Sequence, residues 1–138
     1  MKYKQVCYIL GVPDNVHATE HDLIQLARKG LTTEQVALLL EFTALTQSEI
    51  NHIVPNLNIR LTQPQQRLDK HLSSLLIEIA IIHETGYHLF KYRKEFQRWL
   101  HTPLMVLNKE EPISLLDGTQ GCRIVSNILY RLQKEVII

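Results

Sequence analysis

Apolar positions recur at helical spacing in several segments of the chain, and most of these segments follow a helix-start signal. Such a signal is Ser, Thr, Asp or Asn followed three residues later by an acidic or amide side chain, because each side chain can satisfy a backbone N–H of the first turn. Five pairs fit this pattern: Thr19 with Asp22, Thr32 with Gln35, Thr46 with Glu49, Thr62 with Gln65, and Asn108 with Glu111. The pattern predicts a mainly α fold.

The helix ends and the remaining elements complete this prediction. Gly30 and Pro55 are expected to end the first and third helices. Further helices are expected over residues 91–100 and 120–135, with a short helical turn at 112–116. No run of residues alternates cleanly, so few or no strands are expected, and residues 8–10 and 136–138 are the only candidates for short edge strands.

The last predicted helix is the clearest amphipathic segment. At about 100° per residue, its apolar side is expected to hold Ile124, Val125, Ile128, Leu129 and Leu132. The other side holds the following residues: Arg123, Asn127, Tyr130, Arg131 and Lys134. This polar side fits either a solvated helix surface or a partner surface, since Tyr and Arg are favoured at protein interfaces.

Composition bounds the class of protein. The 138 residues are 45% apolar, which is enough for a hydrophobic core without disulfides. Fifteen Lys and Arg against fourteen Asp and Glu give a net charge of +1, so the whole chain has no field that attracts nucleic acid or membranes. Cys7 and Cys122 have no metal-binding or disulfide-like spacing, which favours reduced thiols in a cytoplasmic protein. Neither a targeting segment nor a membrane span is expected.

The charges are unevenly distributed along the chain. Residues 1–90 carry seven cations and nine anions, whereas residues 91–138 carry eight cations and five anions. The cations Lys91, Arg93, Lys94 and Arg98 lie next to Phe90, Tyr92 and Trp99 in the sequence. Cations interleaved with aromatics occur at nucleic-acid contacts. They are also typical of a solvated helix face whose aromatics turn into the core, and we expect this second arrangement.

One stretch of the chain resembles a catalytic motif. His83, Glu84 and His88 resemble a metalloprotease motif, but two histidines five positions apart are rotated by about 140° on a helix and cannot face one metal. Gly86 is expected to bend or end this helix, which leaves a metal hydrolase as a remote alternative. The sequence has no phosphate-binding loop and no nucleophile motif. We expect no enzyme activity, no catalytic residues, no metal ligands and no cofactor.

Two stretches of the chain resemble the Xre/MbcA/ParS antitoxins, which are partners of RES-domain toxins. The first is the Arg-Lys-Gly-Leu junction at residues 28–31. The second is an ordered series of residues: Trp99, Leu100, Pro103, Leu107, Pro112, Leu115, Leu116, Gly121, Val125, Leu129 and Arg131. The large apolar members of this series are expected to form a small core, Pro103 and Pro112 to end or begin helices, and Gly121 to allow close approach of the backbone.

The resemblance implies a two-domain antitoxin. Residues 1–90 would form an Xre-like helical bundle derived from a helix-turn-helix, and residues 91–138 a small helical toxin-binding domain. The C-terminal region would cover the active site of a toxin that consumes NAD. The contact residues expected under this hypothesis are Arg123, Asn127, Tyr130, Arg131, Lys134 and Ile138. The resemblance also implies a homodimer, for which the apolar faces of helices 31–45 and 68–82 offer surplus apolar surface.

The chain departs from this family in the DNA-reading half. The second helix of the helix-turn-helix is predicted over residues 47–54, and the next long helix is predicted to begin after Thr62. Only residues 55–61 therefore remain for a recognition helix. Major-groove recognition needs a helix with several side chains on base edges. A shortened helix-turn-helix is therefore predicted, and this disfavours operator binding. The residues that remain as DNA-contact candidates are Asn56, Asn58, Arg60 and Gln63.

Two hypotheses of different class follow. The first is an antitoxin that neutralises a RES-type toxin by occluding its active site and that also autoregulates its operon. The alternative is an Xre-type DNA-binding transcriptional regulator without a toxin-neutralising role.

Overall fold

The computed structural model describes residues 3–12, 19–57 and 66–137, with only the backbone described for residues 136 and 137. Within these ranges the chain forms seven α-helices and two short 3₁₀ turns. The helices are α1 (Lys4–Ile9), α2 (Glu20–Lys29), α3 (Thr33–Thr43), α4 (Gln47–Ile53), α5 (Lys70–Leu89), α6 (Arg93–Leu100) and α7 (Thr119–Ile137). The 3₁₀ turns are Met105–Leu107 and Pro112–Leu115. The predicted mainly α fold is confirmed.

Two isolated β-bridges are the extended pairings found in the described ranges, Thr32 with Arg67 and Leu104 with Glu110. The two edge strands predicted from short apolar runs are wrong wherever they are described. Residues 8 and 9 belong to α1, and residues 136 and 137 belong to α7, while Ile138 lies outside the described residues. A short apolar run does not by itself distinguish a strand from a buried helical turn, which is why the prediction failed.

Three of the predicted helix starts are confirmed by reciprocal hydrogen bonds. Thr19 N–H donates to Asp22 Oδ2 at 2.7 Å at the start of α2. At the start of α3, Gln35 N–H donates to Thr32 Oγ1 at 3.1 Å and Thr32 N–H donates to Gln35 Oε1 at 3.0 Å. Thr46 and Glu49 make the same pair of bonds before α4. Each cap satisfies backbone donors that the first helical turn leaves unpaired.

The start predicted at Thr62 is wrong for the long helix that follows. Thr62 lies outside the described residues, but α5 begins only at Lys70, where Leu72 N–H donates to Asp69 Oδ1 at 2.9 Å. The physical reason lies just before Asp69. Arg67 pairs with Thr32 in a β-bridge, and Leu68 N–H donates to the Leu31 carbonyl at 2.9 Å, so this stretch is extended rather than helical.

The start predicted at Asn108 is also wrong. Asn108 has a φ of 56° and ends the turn Met105–Leu107, as Asn tolerates the left-handed region. The next turn begins at Pro112, whose fixed φ and missing N–H suit the first position of a helical turn. The short helical turn predicted at 112–116 is therefore present, as a 3₁₀ turn over Pro112–Leu115.

The contacts divide the chain into two compact units, Met1–Ile81 and Ile82–Ile138, and α5 is continuous across the division. The predicted domain boundary between residues 90 and 91 stays a prediction. We refer to the two parts as the N-terminal and C-terminal units.

In the N-terminal unit, α1 packs against α3, and Gln35 Nε2 donates to the Leu10 carbonyl at 3.0 Å. Gly30 ends α2, as predicted, with a φ of 91°. A side chain at Gly30 would overlap the Leu68 carbonyl. Both this close backbone contact and the positive φ therefore require a glycine at this position. Leu31 N–H donates to Ser73 Oγ at 2.9 Å, and Ser73 Oγ–H donates to the Leu68 carbonyl at 3.2 Å.

The surplus apolar surface expected on residues 68–82 is not found. The apolar side chains of this helix that are buried within the chain are Leu75, Leu76, Ile77, Ile79, Ala80 and Ile82. Helix α3 keeps one large apolar side chain exposed, Leu38. These helices therefore offer little spare apolar surface for a homodimer, which stays a prediction.

Candidate functional site

Phe96 of α6 forms the centre of the C-terminal unit. Its ring is fully buried and lies 5.3 Å, centroid to centroid, from the His83 imidazole, in an edge-to-face arrangement. The rings of Tyr87, Phe90 and Trp99 lie 5.7, 5.7 and 5.9 Å from it. Aromatic rings at such separations stabilise a core beyond their buried area. The sequence did not predict Phe96 as a core residue, although it lies between the aromatic residues Phe90 and Trp99.

Gly86 does not bend or end the helix, contrary to the expectation. Helix α5 continues through it to Leu89, and a Cβ at Gly86 would overlap the Phe96 ring. The glycine is therefore a place where α6 packs closely on α5. On this unbroken helix, His83 is buried, while His88 is exposed and lies 4.0 Å from Glu84 Oε2. The two imidazoles point in different directions, as their spacing predicted.

The turn Pro112–Leu115 connects α6 to α7 and packs against both helices. Gly121 allows the close approach that was predicted for it, because a Cβ there would overlap the Leu115 carbonyl. Cys122 is buried, and its Sγ lies 3.9 Å from the Leu116 carbonyl. These contacts fix the position of the first turn of α7 within the unit.

The small core predicted from the ordered series is confirmed in part. Leu100, Leu116 and Val125 are fully buried, and Leu129 joins them. Trp99, Leu107 and Leu115 are only half-buried. Phe96, which the ordered series does not include, is fully buried and stacks on Trp99.

The buried side of α7 is narrower than the predicted apolar face. Cys122, Val125 and Leu129 are buried, and Ile128 and Leu132 are half-buried. Ile124 was placed on the apolar side, but 45% of it is exposed. One turn of helix covers 3.6 residues, so Ile124 lies about 100° from Val125 and points toward the solvent edge.

The five predicted contact residues on α7 are all exposed and share one side of the helix. We call Arg123, Asn127, Tyr130, Arg131 and Lys134 the α7 face. At about 100° per residue, these five positions fall within about a third of the helix circumference. Lys134 Nζ lies 4.7 Å from the centroid of the Tyr130 ring, a cation–π contact within the face. The sixth predicted residue, Ile138, lies outside the described residues.

The α7 face has one sign of charge. Residues 119–134 contain three cations, Arg123, Arg131 and Lys134, and no Asp or Glu. The N-terminal part of α7 is anchored by Gly121 and Cys122, so the face is carried on a rigid element. Such a surface is suited to a partner that presents carboxylates, because interfaces pair opposite potentials.

A second group of cations is exposed on and before α6, namely Lys91, Arg93, Lys94 and Arg98. The expected solvated face is found here, but Tyr92 does not turn into the core and is 57% exposed. Arg93 lies over the Tyr87 ring at 4.4 Å. Burial raises the pKa of the Tyr87 hydroxyl, and Arg93 and a hydrogen bond with Gln97 oppose that rise. Tyr87 therefore remains a neutral aromatic platform for Arg93.

The DNA-contact candidates are mostly outside the described residues. Asn56 is exposed with a φ of 63°, while Asn58, Arg60 and Gln63 lie outside. The shortened helix-turn-helix stays a prediction, because Thr62 lies outside the described residues; the long helix α5 begins at Lys70. The segment that separates α4 from α5 is accordingly longer than residues 55–61.

Over the described ranges, no three His, Cys, Asp or Glu side chains come together as a metal site. No helix in the described parts of the chain is both long enough and apolar enough to span a bilayer. The C-terminal unit thus combines an aromatic cluster around Phe96 with a helix, α7, whose exposed side carries cations.

Residues 85–134 match the family model described as the antitoxin Xre/MbcA/ParS C-terminal toxin-binding domain. Over these residues the match confirms the resemblance drawn from the ordered series. The family description is that of an antitoxin module that binds a toxin, and it covers α6, both 3₁₀ turns and the α7 face. A search of curated proteins finds no match to the chain.

Proposed function

We propose that this protein is the cytoplasmic antitoxin of a toxin–antitoxin pair and that it neutralises a RES-type, NAD-consuming toxin by covering the toxin's active site with the α7 face. The supporting observation is the coincidence of two features. Residues 85–134 match a toxin-binding domain, and within that span α7 exposes three cations and a tyrosine without any carboxylate. The RES class and the occlusion of the active site come from the family resemblance.

The chemistry of the α7 face defines its side of the complex. Arginine donates paired hydrogen bonds to carboxylates, and tyrosine contributes a large, rigid contact area. The complementary surface on the toxin is therefore acidic, and association should be faster at low ionic strength because opposite charges steer the encounter.

Growth rescue tests the proposal. The protein is co-expressed with the product of the adjacent open reading frame, and wild-type protein is expected to restore growth. The double variant Arg123→Glu/Arg131→Glu should protect less, since it places two like charges against the acidic surface. We expect affinity to fall at least about tenfold, or about 1.4 kcal/mol.

Arg28→Glu/Lys29→Glu is the matched control, because it makes the same change of charge at exposed positions of α2, outside the matched span. It should keep most of the protection. Full protection by Arg123→Glu/Arg131→Glu would contradict the assignment of the α7 face, and no protection by the wild type would contradict the antitoxin role.

A second candidate function is operator binding, which includes autoregulation of the operon. It is favoured by the start of α5 at Lys70, because more residues separate α4 from α5 than the predicted segment 55–61 contains. Asn56, Asn58, Arg60 and Gln63 are its candidate contacts, and a homodimer would place two copies on a palindromic site. A gel-shift with the upstream promoter, with and without the toxin, tests it. A protein that protects from the toxin but does not shift the promoter would be an antitoxin only, whereas the reverse result would favour the regulator.

A further inference from the structure

The turn Met105–Leu107 holds two large apolar side chains in solvent. Met105 is 79% exposed and the adjacent Val106 is 66% exposed. These are the most exposed large apolar side chains among the described residues of the C-terminal unit; Tyr92, Tyr130 and Ile124 are each less exposed. Neighbouring apolar side chains that the fold leaves in water are typical of interaction sites.

The backbone of this loop is fixed by its own hydrogen bonds. Leu104 N–H donates to the Glu110 carbonyl at 3.1 Å, and Lys109 N–H donates to the Leu104 carbonyl at 2.9 Å, so the loop is closed at its base. Asn108 and Lys109 both adopt the left-handed region, with φ of 56° and 69°. Two consecutive non-glycine residues in this region are unusual and occur where a loop shape is required. A loop that is already ordered loses little conformational freedom on binding.

We propose that Met105 and Val106 form a second, apolar contact with the toxin, separate in character from the charged α7 face. This inference rests on the proposed function. The occupant is the toxin because the loop lies inside residues 85–134, the span that matches the toxin-binding domain. The unbranched, polarisable side chain of Met105 fits an irregular apolar cavity, so the toxin is expected to offer such a cavity.

The two contacts differ in their response to salt. An apolar contact keeps its strength as ionic strength rises, whereas attraction between exposed charges is screened. The experiment therefore measures the binding of the purified full chain to the product of the adjacent open reading frame at low and at high salt. Met105→Ser/Val106→Ser should weaken binding at least about tenfold at both salt concentrations. Arg123→Glu/Arg131→Glu should lose most at low salt.

Tyr8→Ser is the matched control, because Tyr8 is 76% exposed on α1, outside the matched span. It should leave the affinity unchanged. The free Met105→Ser/Val106→Ser variant should keep its helical circular dichroism and its melting temperature, since both side chains are largely in solvent. Met105→Gln/Val106→Thr, which retains the shape of the side chains, provides a second variant if the first melts early.

Three outcomes separate the claims. Loss of affinity by both loop variants, with a normal melting temperature, supports the apolar contact. Unchanged affinity of the loop variants together with weakened binding by Arg123→Glu/Arg131→Glu overturns the loop contact and leaves the proposed function in place. Absence of binding by the wild-type chain overturns both.

Discussion

The two units of the chain are stabilised in different ways. In the N-terminal unit, polar side chains tie backbone groups together: threonines cap α2, α3 and α4, and Ser73 joins residues 31 and 68. In the C-terminal unit, close packing of the elements depends on glycines. Gly86 leaves room for the Phe96 ring, and Gly121 leaves room for the Leu115 backbone. The first kind of contact tolerates changes of side-chain volume, and the second does not. Gly30, where a Cβ would overlap the Leu68 carbonyl, is a contact of the second kind within the N-terminal unit.

The largest expected effect is the removal of the aromatic centre of the C-terminal unit. Phe96→Ala deletes a fully buried ring, which should lower the free energy of unfolding by about 3–5 kcal/mol. Urea denaturation measures the loss, and faster amide hydrogen exchange should appear first within residues 82–137. Tyr92→Ala, at an exposed neighbouring position, should change stability by less than about 0.5 kcal/mol. Equal losses for the two variants would remove Phe96 from its central role.

Adding one methyl group at Gly121 is the next largest effect. Gly121→Ala forces α7 away from the Leu115 carbonyl, and we expect a loss of about 2–3 kcal/mol even though Ala favours helix formation. Gly118→Ala is the control, as a Cβ there meets no atom within 4 Å. Thermal denaturation of the pair provides the comparison, and an unchanged Gly121→Ala would show that the helix shifts without cost.

A smaller loss of stability is expected when the buried hydroxyl of Ser73, in the N-terminal unit, is removed. Ser73→Ala removes the acceptor for the Leu31 N–H in a buried place, and an unsatisfied buried donor costs about 2 kcal/mol. Ser74→Ala, one position along the same helix, should cost less than about 0.5 kcal/mol. Urea denaturation measures both. Should Ser73→Ala prove as stable as the wild type, water would have to replace the hydroxyl.

The smallest effect concerns a single helix cap. Thr46→Ala removes the side chain that accepts from Glu49 N–H, which should destabilise the protein by about 1 kcal/mol. Ser48→Ala, an exposed substitution inside α4, should be close to neutral. A shift in the urea midpoint for Thr46→Ala but not for Ser48→Ala is the expected result. If both midpoints stay unchanged, the cap contributes nothing measurable.

Local signals in the sequence account for much of the fold. The caps at Thr19, Thr32 and Thr46 were predicted because both partners of each capping pair lie within four residues. The same reasoning failed at Thr62, since what keeps residues 67 and 68 extended is a pairing with residues 31 and 32. The paired residues are far apart in the sequence, so no local pattern predicts this pairing.

Packing was predicted less well than helix position. Gly86 was expected to interrupt a helix because glycine is a poor helix former, but its role depends on the Phe96 ring. Ile124 was placed on the apolar face by periodicity alone, although the buried side of α7 is too narrow to include it. The exposure of Met105 and Val106 could not be predicted from the sequence, because apolar residues in a short turn have the same pattern whether they are buried or exposed.

The candidate site was predicted at the level of the helix face. Arg123, Asn127, Tyr130, Arg131 and Lys134 are exposed together, as their spacing required. Their role in binding the toxin stays a prediction, because exposure alone does not identify a contact.

The hydrogen bonds of Arg67 and Leu68 to residues 30 and 31 make α3, α4 and the segment after them a closed loop with a fixed base. Lengthening a loop whose ends are already held costs only about 0.6 kcal/mol for each doubling. A change in chain length between α4 and α5 should therefore leave the start of α5 in place.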